Sequence, residues 1–173
     1  MAGLKLNLAS GTDIRDGWVN MDIVPRWPIA RRGCDLVWDA RKDKIPYPDN
    51  SVSEIYAGYL LLHLAPKFHK PVLAEIHRVM SPDGVVMVGE VDMEIVMKRF
   101  LADPMDPRCC ELIWGEQGSI HGDDLADFDK HCQGFTEASL KATLAEAGFG
   151  HFQRVSFHCA DVYFELTITC KKV

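Results

Sequence analysis

The chain ends in two strand-patterned segments, residues 152–157 and 162–170, with only Cys159-Ala160-Asp161 set between them. The second alternates Tyr163, Glu165, Thr167 and Thr169 against Phe164, Leu166, Ile168 and Cys170, the period of two of a strand. Parallel neighbours need a crossover of a dozen or more residues, so this pair must be an antiparallel hairpin. The rest of the chain has a different rhythm. Strand patterns at 4–8, 18–23, 36–38, 52–57 and 85–91 are separated by longer connections. A helical stripe, Val72, Leu73, Ile76, Val79 and Met80, has Pro71 in its first turn and stops at Ser81-Pro82-Asp83-Gly84. A second helix begins at Thr136 as N-cap with Glu137 in its first turn. It buries Leu140, Leu144 and Ala147 and ends at Gly148. Strands alternating with helices predict an α/β, Rossmann-like, doubly wound sheet of about seven strands, mostly parallel, with helices on both faces.

The 173 residues fit one domain, 1–173, and can bury a core unaided. Residues 98–134 are long for a connection and are expected to form a lid or substrate insertion. No apolar run approaches the roughly 20 residues of a membrane span. The N-terminus lacks the charged and apolar regions of a signal peptide. None of the six cysteines forms a C-x-x-C pair, which fits free thiols in a reducing, cytoplasmic setting. Net charge is −6, which argues against a nucleic-acid partner. The basic residues Arg26, Arg31, Arg32, Arg41, Lys42 and Lys44 are interleaved with Asp35, Asp39 and Asp43, as in a neutralised, solvated face.

Ligands of doubly wound sheets sit beyond the carboxyl ends of the strands, at the topological switch point. Gly11, Asp22, Asp39 and Ala57-Gly58 fall at such ends. Ala9-Ser10-Gly11 lets a nucleoside approach backbone closely, and read alone it is equally an ordinary tight turn. Asp22 has the acceptors for two ribose hydroxyls, or is a turn aspartate. Asp39 ends the third strand, as a site residue or as the ion-pair partner of Arg41 or Lys42. The Tyr56 ring offers a face to a cation, or packs in the core. Without G-x-G-x-x-G after the first strand, a nicotinamide oxidoreductase is excluded.

These segments carry a resemblance. Leu6-Asn7-Leu8-Ala9-Ser10-Gly11 followed by Gly17-Trp18-Val19-Asn20-Met21-Asp22 resembles the first motifs of class I S-adenosylmethionine-dependent methyltransferases. The closest likeness is to their short Methyltransf_11-like branch. The resemblance continues in Asp39-Ala40-Arg41, in Pro46-Tyr47-Pro48-Asp49-Asn50-Ser51-Val52, and in Glu75-Ile76-His77-Arg78-Val79-Met80-Ser81-Pro82-Asp83-Gly84. It ends in Gly134-Phe135-Thr136 with Ala147-Gly148-Phe149. It implies strand order 3-2-1-4-5-7-6 and S-adenosylmethionine as cofactor, with S-adenosylhomocysteine as product. The implied binding residues are Leu8, Ala9, Ser10, Gly11, Asp22, Ile23, Asp39, Ala40, Tyr56, Ala57 and Gly58. The implied reaction is methyl transfer to a small-molecule acceptor such as a sugar or secondary metabolite.

His131, His121 and His63 are the candidates for an acceptor-side base, and each is also readable as an ordinary surface or core histidine. Two departures are plain. Ala9 stands where the branch has its first glycine, and Leu62 stands where it has a glutamate before His63. They leave open a cofactor-binding protein that acts as a partner or regulatory subunit without transfer. The chain begins at its first strand, so a homodimer partner or residues 98–134 are expected to cover the cofactor. No metal is expected: Asp123, Asp124, Asp127 and Asp129 near His121 lack calcium-loop spacing, and Cys132 beside His131 lacks zinc-ligand partners.

Overall fold

The computed structural model describes residues 3–26, 31–115, 130–155 and 165–173. Strands β1 (Leu4–Leu8), β2 (Val19–Asp22), β3 (Leu36–Val37), β4 (Val52–Gly58) and β5 (Met80–Val91) run parallel. Strands β6 (Phe149–Val155) and β7 (Glu165–Lys172) pair antiparallel, and β7 pairs antiparallel with β5. The sheet order is β3-β2-β1-β4-β5-β7-β6, the expected topology.

Register decides which side chains form the core. Leu6 lies opposite Val19 and Ile55, and Leu8 opposite Met21 and Ala57. Ala57 lies opposite Val88, and Val88 opposite Ile168. Because side chains alternate along a strand, these residues share one face. Onto it pack Val72, Leu73, Ile76 and Val79 of α1 (His69–Val79) and Leu140 and Leu144 of α4 (Glu137–Glu146), all buried. Burial of each large side chain contributes roughly 1.5–3 kcal/mol.

The opposite face is polar. Asn7 lies between Asn20 and Tyr56, and Tyr56 beside Met87. Lys5 and Glu54 form an ion pair there. The connection from β1 to β2 holds no helix, and two buried asparagines do its hydrogen bonding. Asn7 Nδ2 donates to Asp13 O and to Asn20 Oδ1, while Asn20 Nδ2 donates to Arg15 O, Trp18 O and Asp35 Oδ2. Backbone groups that a crossover helix would satisfy internally are satisfied by these side chains instead.

Three differences from the sequence reading have physical causes. First, Ser81-Pro82-Asp83-Gly84 does not precede β5 but lies within it. Met80 pairs with Val52 and Val85 with Glu54, so the segment between bulges out of one strand. Second, residues 98–134 hold structure that hydrophobic periodicity did not reveal: the end of α2 (Met93–Ala102) and α3 (Pro107–Trp114). Asp92 caps α2 by accepting Glu94 N, and Asp106 caps α3 by accepting Arg108 N, with Pro107 in the first turn. Third, β6 starts at Phe149 and β7 runs on to Lys172. The turn residues Cys159-Ala160-Asp161 lie outside the described residues. α4 is as expected. Thr136 forms a capping box with Ser139, and Gly148 follows with φ +87°.

Candidate cofactor and acceptor site

The ends of β1 and β2 meet. Beyond Leu8, whose side chain is in the core, the chain turns through Ala9 (φ +52°), Ser10 and Gly11 (φ +50°). Both positive angles lie in the left-handed region that glycine tolerates best, so Ala9 is strained by about 1 kcal/mol. The strain falls where the resembling branch has its first glycine. Among the described residues, chain neighbours aside, no heavy atom comes within 4 Å of where a Gly11 Cβ would sit, so this turn borders open space. Ser10 N donates to Met21 O, while its buried Oγ has no partner among the described residues.

Asp22, nearly buried at the end of β2, organises the turn. Its Oδ2 accepts Gly11 N at 2.8 Å and its Oδ1 accepts Val24 N at 2.8 Å. A carboxylate offers about four acceptor positions, more than two amides occupy. Ile23, between these partners, is half-buried. Cys34 Sγ lies 3.9 Å from Asp22 O, and burial raises its thiol pKa.

Asp39, beyond β3, is bound to its neighbours. Its oxygens accept Arg41 N, Nε and NH2, and Lys42 Nζ lies 3.4 Å away. Arg41 holds its carboxyl well below the usual range, at about 2. The ion pair foreseen for Asp39 is thus present, and half-buried Ala40 sits inside its loop. Arg32 likewise pairs with Asp16 and Asp35, so that Arg32, Arg41 and Lys42 of this basic stretch are ion-paired.

At the end of β4, Ala57 joins the core and Gly58 lies beside Gly89 of β5. The Tyr56 ring runs over Gly58, placing its hydroxyl 2.6 Å from where a Gly58 Cβ would sit. Arg15 stacks its guanidinium on that ring at 3.5 Å from the centroid. Tyr56 is therefore packed, and the ring already carries a cation on one face.

On the acceptor side the fold brings two of the three predicted histidines together. The His63 and His131 rings are edge to face with centroids 5.0 Å apart. His63 Nδ1 is 3.2 Å from Lys130 O and His131 Nδ1 is 2.9 Å from Leu112 O. A ring nitrogen facing a carbonyl must donate, so the basic nitrogen of each neutral ring is Nε2. Burial, and then His131, lower His63 to about 4. His121 lies outside the described residues, as do Asp123, Asp124, Asp127 and Asp129. Among the described residues no group of three or more His, Cys, Asp or Glu is arranged to hold a metal ion.

Three residues escaped the sequence reading. Arg15 is one. Glu90, in β5, is fully buried, and its two oxygens accept Leu61 N at 2.9 Å and Leu62 N at 3.2 Å. His69 Nε2 faces Leu61 O and Leu64 O from the other side. Together they pin the loop that carries His63. Leu62 O accepts Cys132 N and Gln133 N, tying the loop to the segment that carries His131. A glutamate closing an apolar strand, Val85-Val86-Met87-Val88-Gly89-Glu90, was the available signal for Glu90.

Comparison with known proteins agrees with this geometry. Residues 20–88 match the family model described as a methyltransferase domain. No curated protein matches the chain. Among solved structures, an S-adenosylmethionine-dependent methyltransferase from Methanosarcina mazei superposes with TM-score 0.63 at 18% identity, covering 98% of this chain and 92% of that one. One from Archaeoglobus fulgidus gives TM-score 0.62 at 12% identity, over 98% of this chain and 86% of that one. The Burkholderia thailandensis 1,6-didemethyltoxoflavin-N1-methyltransferase, solved with its substrate and S-adenosylhomocysteine, gives 0.58 at 19%, over 99% and 71%. The fold is the class I fold of S-adenosylmethionine-dependent methyltransferases. The stretch that matches the methyltransferase-domain model runs from β2 through most of β5.

Proposed function

We propose that this protein binds S-adenosylmethionine across the ends of β1, β2 and β4 and transfers its methyl group to a small-molecule acceptor. One observation carries the reading: Asp22 grips the Gly11 amide at the switch point, beside open space and the unpartnered Ser10 hydroxyl. These residues fit a nucleoside. The left-handed turn lets its backbone approach, and Asp22 accepts from ribose hydroxyls. Leu8, Ala9, Ser10, Gly11, Ile23, Asp39, Ala40, Tyr56, Ala57 and Gly58 complete the proposed binding set. For Leu8, Ala57 and Gly58 the contribution is backbone. For Asp39 and Ala40 it is backbone and loop shape, because the Asp39 carboxylate is engaged by Arg41.

The bound cofactor supplies an electrophilic methyl group on a sulfonium. The chain's own residues orient the acceptor and manage its proton. His131, with His63 packed against it, faces the acceptor side. Removal of an acceptor proton falls to Nε2 of His131. His63, neutral down to about pH 4, is too weak a base for that step and acts as a hydrogen-bond acceptor that orients. His121 belongs to the same proposed group.

A second reading, cofactor binding without transfer, is favoured by the strained Ala9 and by the apolar Leu62. The deciding experiment is the formation of S-adenosylhomocysteine from S-adenosylmethionine with a fractionated metabolite extract as acceptor source. Turnover that is lost in Asp22→Ala and in His131→Ala supports transfer. Cofactor binding without turnover in any fraction supports the second reading.

A further inference from the structure

We propose that Glu90 is the counter-charge of the cofactor's sulfonium, so that the site prefers cationic S-adenosylmethionine to the neutral thioether S-adenosylhomocysteine. This rests on the cofactor reading above.

Glu90 is the odd acid of the molecule. Acids are almost never fully buried without a partner cation or a dense set of donors. Asp92 is paired with Arg154 and Asp39 with Arg41 and Lys42, while Asp22, which holds two turn amides, keeps 5% exposure at the open end of β2. Glu90, with 0% exposure, has two backbone amides and no Lys or Arg within ion-pair distance among the described residues.

Its place in the fold is specific. Gly58 pairs with Gly89, and Tyr59 N donates to Gly89 O. Glu90 is the next residue, so its carboxylate lies under the loop where β4 and β5 end. Ligands of this fold class sit beyond such ends. Among the described residues no Lys or Arg of the elements packed around it, the exposed Lys130 included, lies within ion-pair distance of its carboxylate. The loop brings Tyr59 and His63, whose Nδ1 is directed to Lys130 O. Helix α1 brings His69, directed to Leu61 O and Leu64 O. The 130–135 segment brings His131 and Cys132. Just beyond β5, the α2 cap Asp92 is neutralised by Arg154, and across on β7 stands Leu166.

Neither protonation state suits this cage. An ionised Glu90 satisfies both amides but leaves a charge in the interior. A protonated Glu90 needs an acceptor for its O–H, yet each oxygen faces an N–H. Burial pushes its pKa up to about 8. A cation at the strand ends removes the conflict, because interior charges interact strongly in low dielectric. Glu90 then ionises and serves both amides. With a neutral thioether in place of the sulfonium, Glu90 would lack its counter-charge. Glu90 takes a proton back from solvent and the product is held less tightly.

The test is calorimetry of the full chain at pH 7.5, in two buffers of different ionisation enthalpy. S-adenosylmethionine and S-adenosylhomocysteine are each titrated into wild type and Glu90→Gln. The expected result is release of roughly half a proton with S-adenosylmethionine only, lost in Glu90→Gln. The expected affinity preference for S-adenosylmethionine from one pKa unit of coupling is about threefold at pH 7.5, rising towards about tenfold at pH 9, and is lost in the variant. Should Glu90→Gln not fold, wild type alone decides: that preference must grow as Glu90 ionises between pH 7 and 9. Equal proton exchange for both ligands, or a preference independent of pH and of Glu90, overturns this proposal and leaves the cofactor reading standing. No binding of either ligand by folded wild type overturns both.

Discussion

Oδ2 of Asp22 accepts the Gly11 amide at 2.8 Å, so the residue that ends β2 also shapes the turn that ends β1. The same carboxylate holds Val24 N through Oδ1. One side chain thus ties two loops at the switch point, and its loss has a structural consequence apart from any ligand. Asp22→Ala leaves two amides without their charged acceptor, at roughly 1.5–3 kcal/mol each where they stay buried. The expected loss of stability is about 2–4 kcal/mol, read as a lower urea midpoint with unchanged m-value. A midpoint equal to wild type would mean that the turn holds itself.

Ala9 makes the opposite prediction. Its φ of +52° is a conformation that an alanine adopts with strain. Ala9→Gly should raise stability by about 0.5–1 kcal/mol, because relief of strain exceeds the entropy glycine adds to the unfolded chain. Ala9→Val should lower it by more than that. Denaturant melts of both variants check the sign, and a destabilised Ala9→Gly would refute the strained turn.

The buried Glu90 sets a pH dependence of folding. Its folded pKa of about 8 lies above the ordinary 4.5, so the folded chain keeps a proton that the unfolded chain releases. This contribution is fully present below about pH 4.5 and is lost as pH rises through 8. The span is on the order of 4 kcal/mol. Asp39 runs the other way: its depressed pKa stabilises the fold above the ordinary aspartate range and fades as pH falls towards 2. Urea midpoints measured from pH 5 to 9 should therefore fall, and in Glu90→Gln the slope should flatten. A wild-type profile that rises across this range would contradict the buried, unpaired acid.

The two histidines separate binding from chemistry. His131→Ala should cut transfer by roughly 10²–10⁴-fold. His63→Ala should cost less, and neither should change affinity for S-adenosylhomocysteine by more than about twofold. The ring contact of 5.0 Å couples them, so the double variant should lose less than the product of the single losses. Steady-state turnover with calorimetry on each variant checks this. Multiplicative losses would mean that the rings act apart.

What the sequence revealed followed physical periodicity. The hairpin at the C-terminus and the positions of β1 to β5 along the chain came from alternating patterns and connection lengths, and the sheet order from the family resemblance. Thr136, Leu140 and Leu144 announced α4 through capping and spacing. Helices α2 and α3 were missed because their stripes are broken: Ile95, Met97, Leu101 and Trp114 are exposed and only Val96 and Cys109 are buried. Their caps, Asp92 and Asp106-Pro107, were the readable signal. At the site, Asp22 was legible from its place at a strand end. Glu90, His69 and Arg15 were not, because their partners are backbone groups or a ring brought together only by the sheet. The meeting of His63 with His131 likewise depends on Leu62 O holding Cys132 N, a contact between distant segments.

The most direct measurement of the central claim is calorimetric titration of S-adenosylmethionine and S-adenosylhomocysteine into wild type and into a folded Asp22→Ala variant. The account predicts micromolar binding by wild type, about −8 kcal/mol, and at least a tenfold loss in the variant. Folded wild type that binds neither compound, or a variant that binds both as well as wild type does, would contradict it.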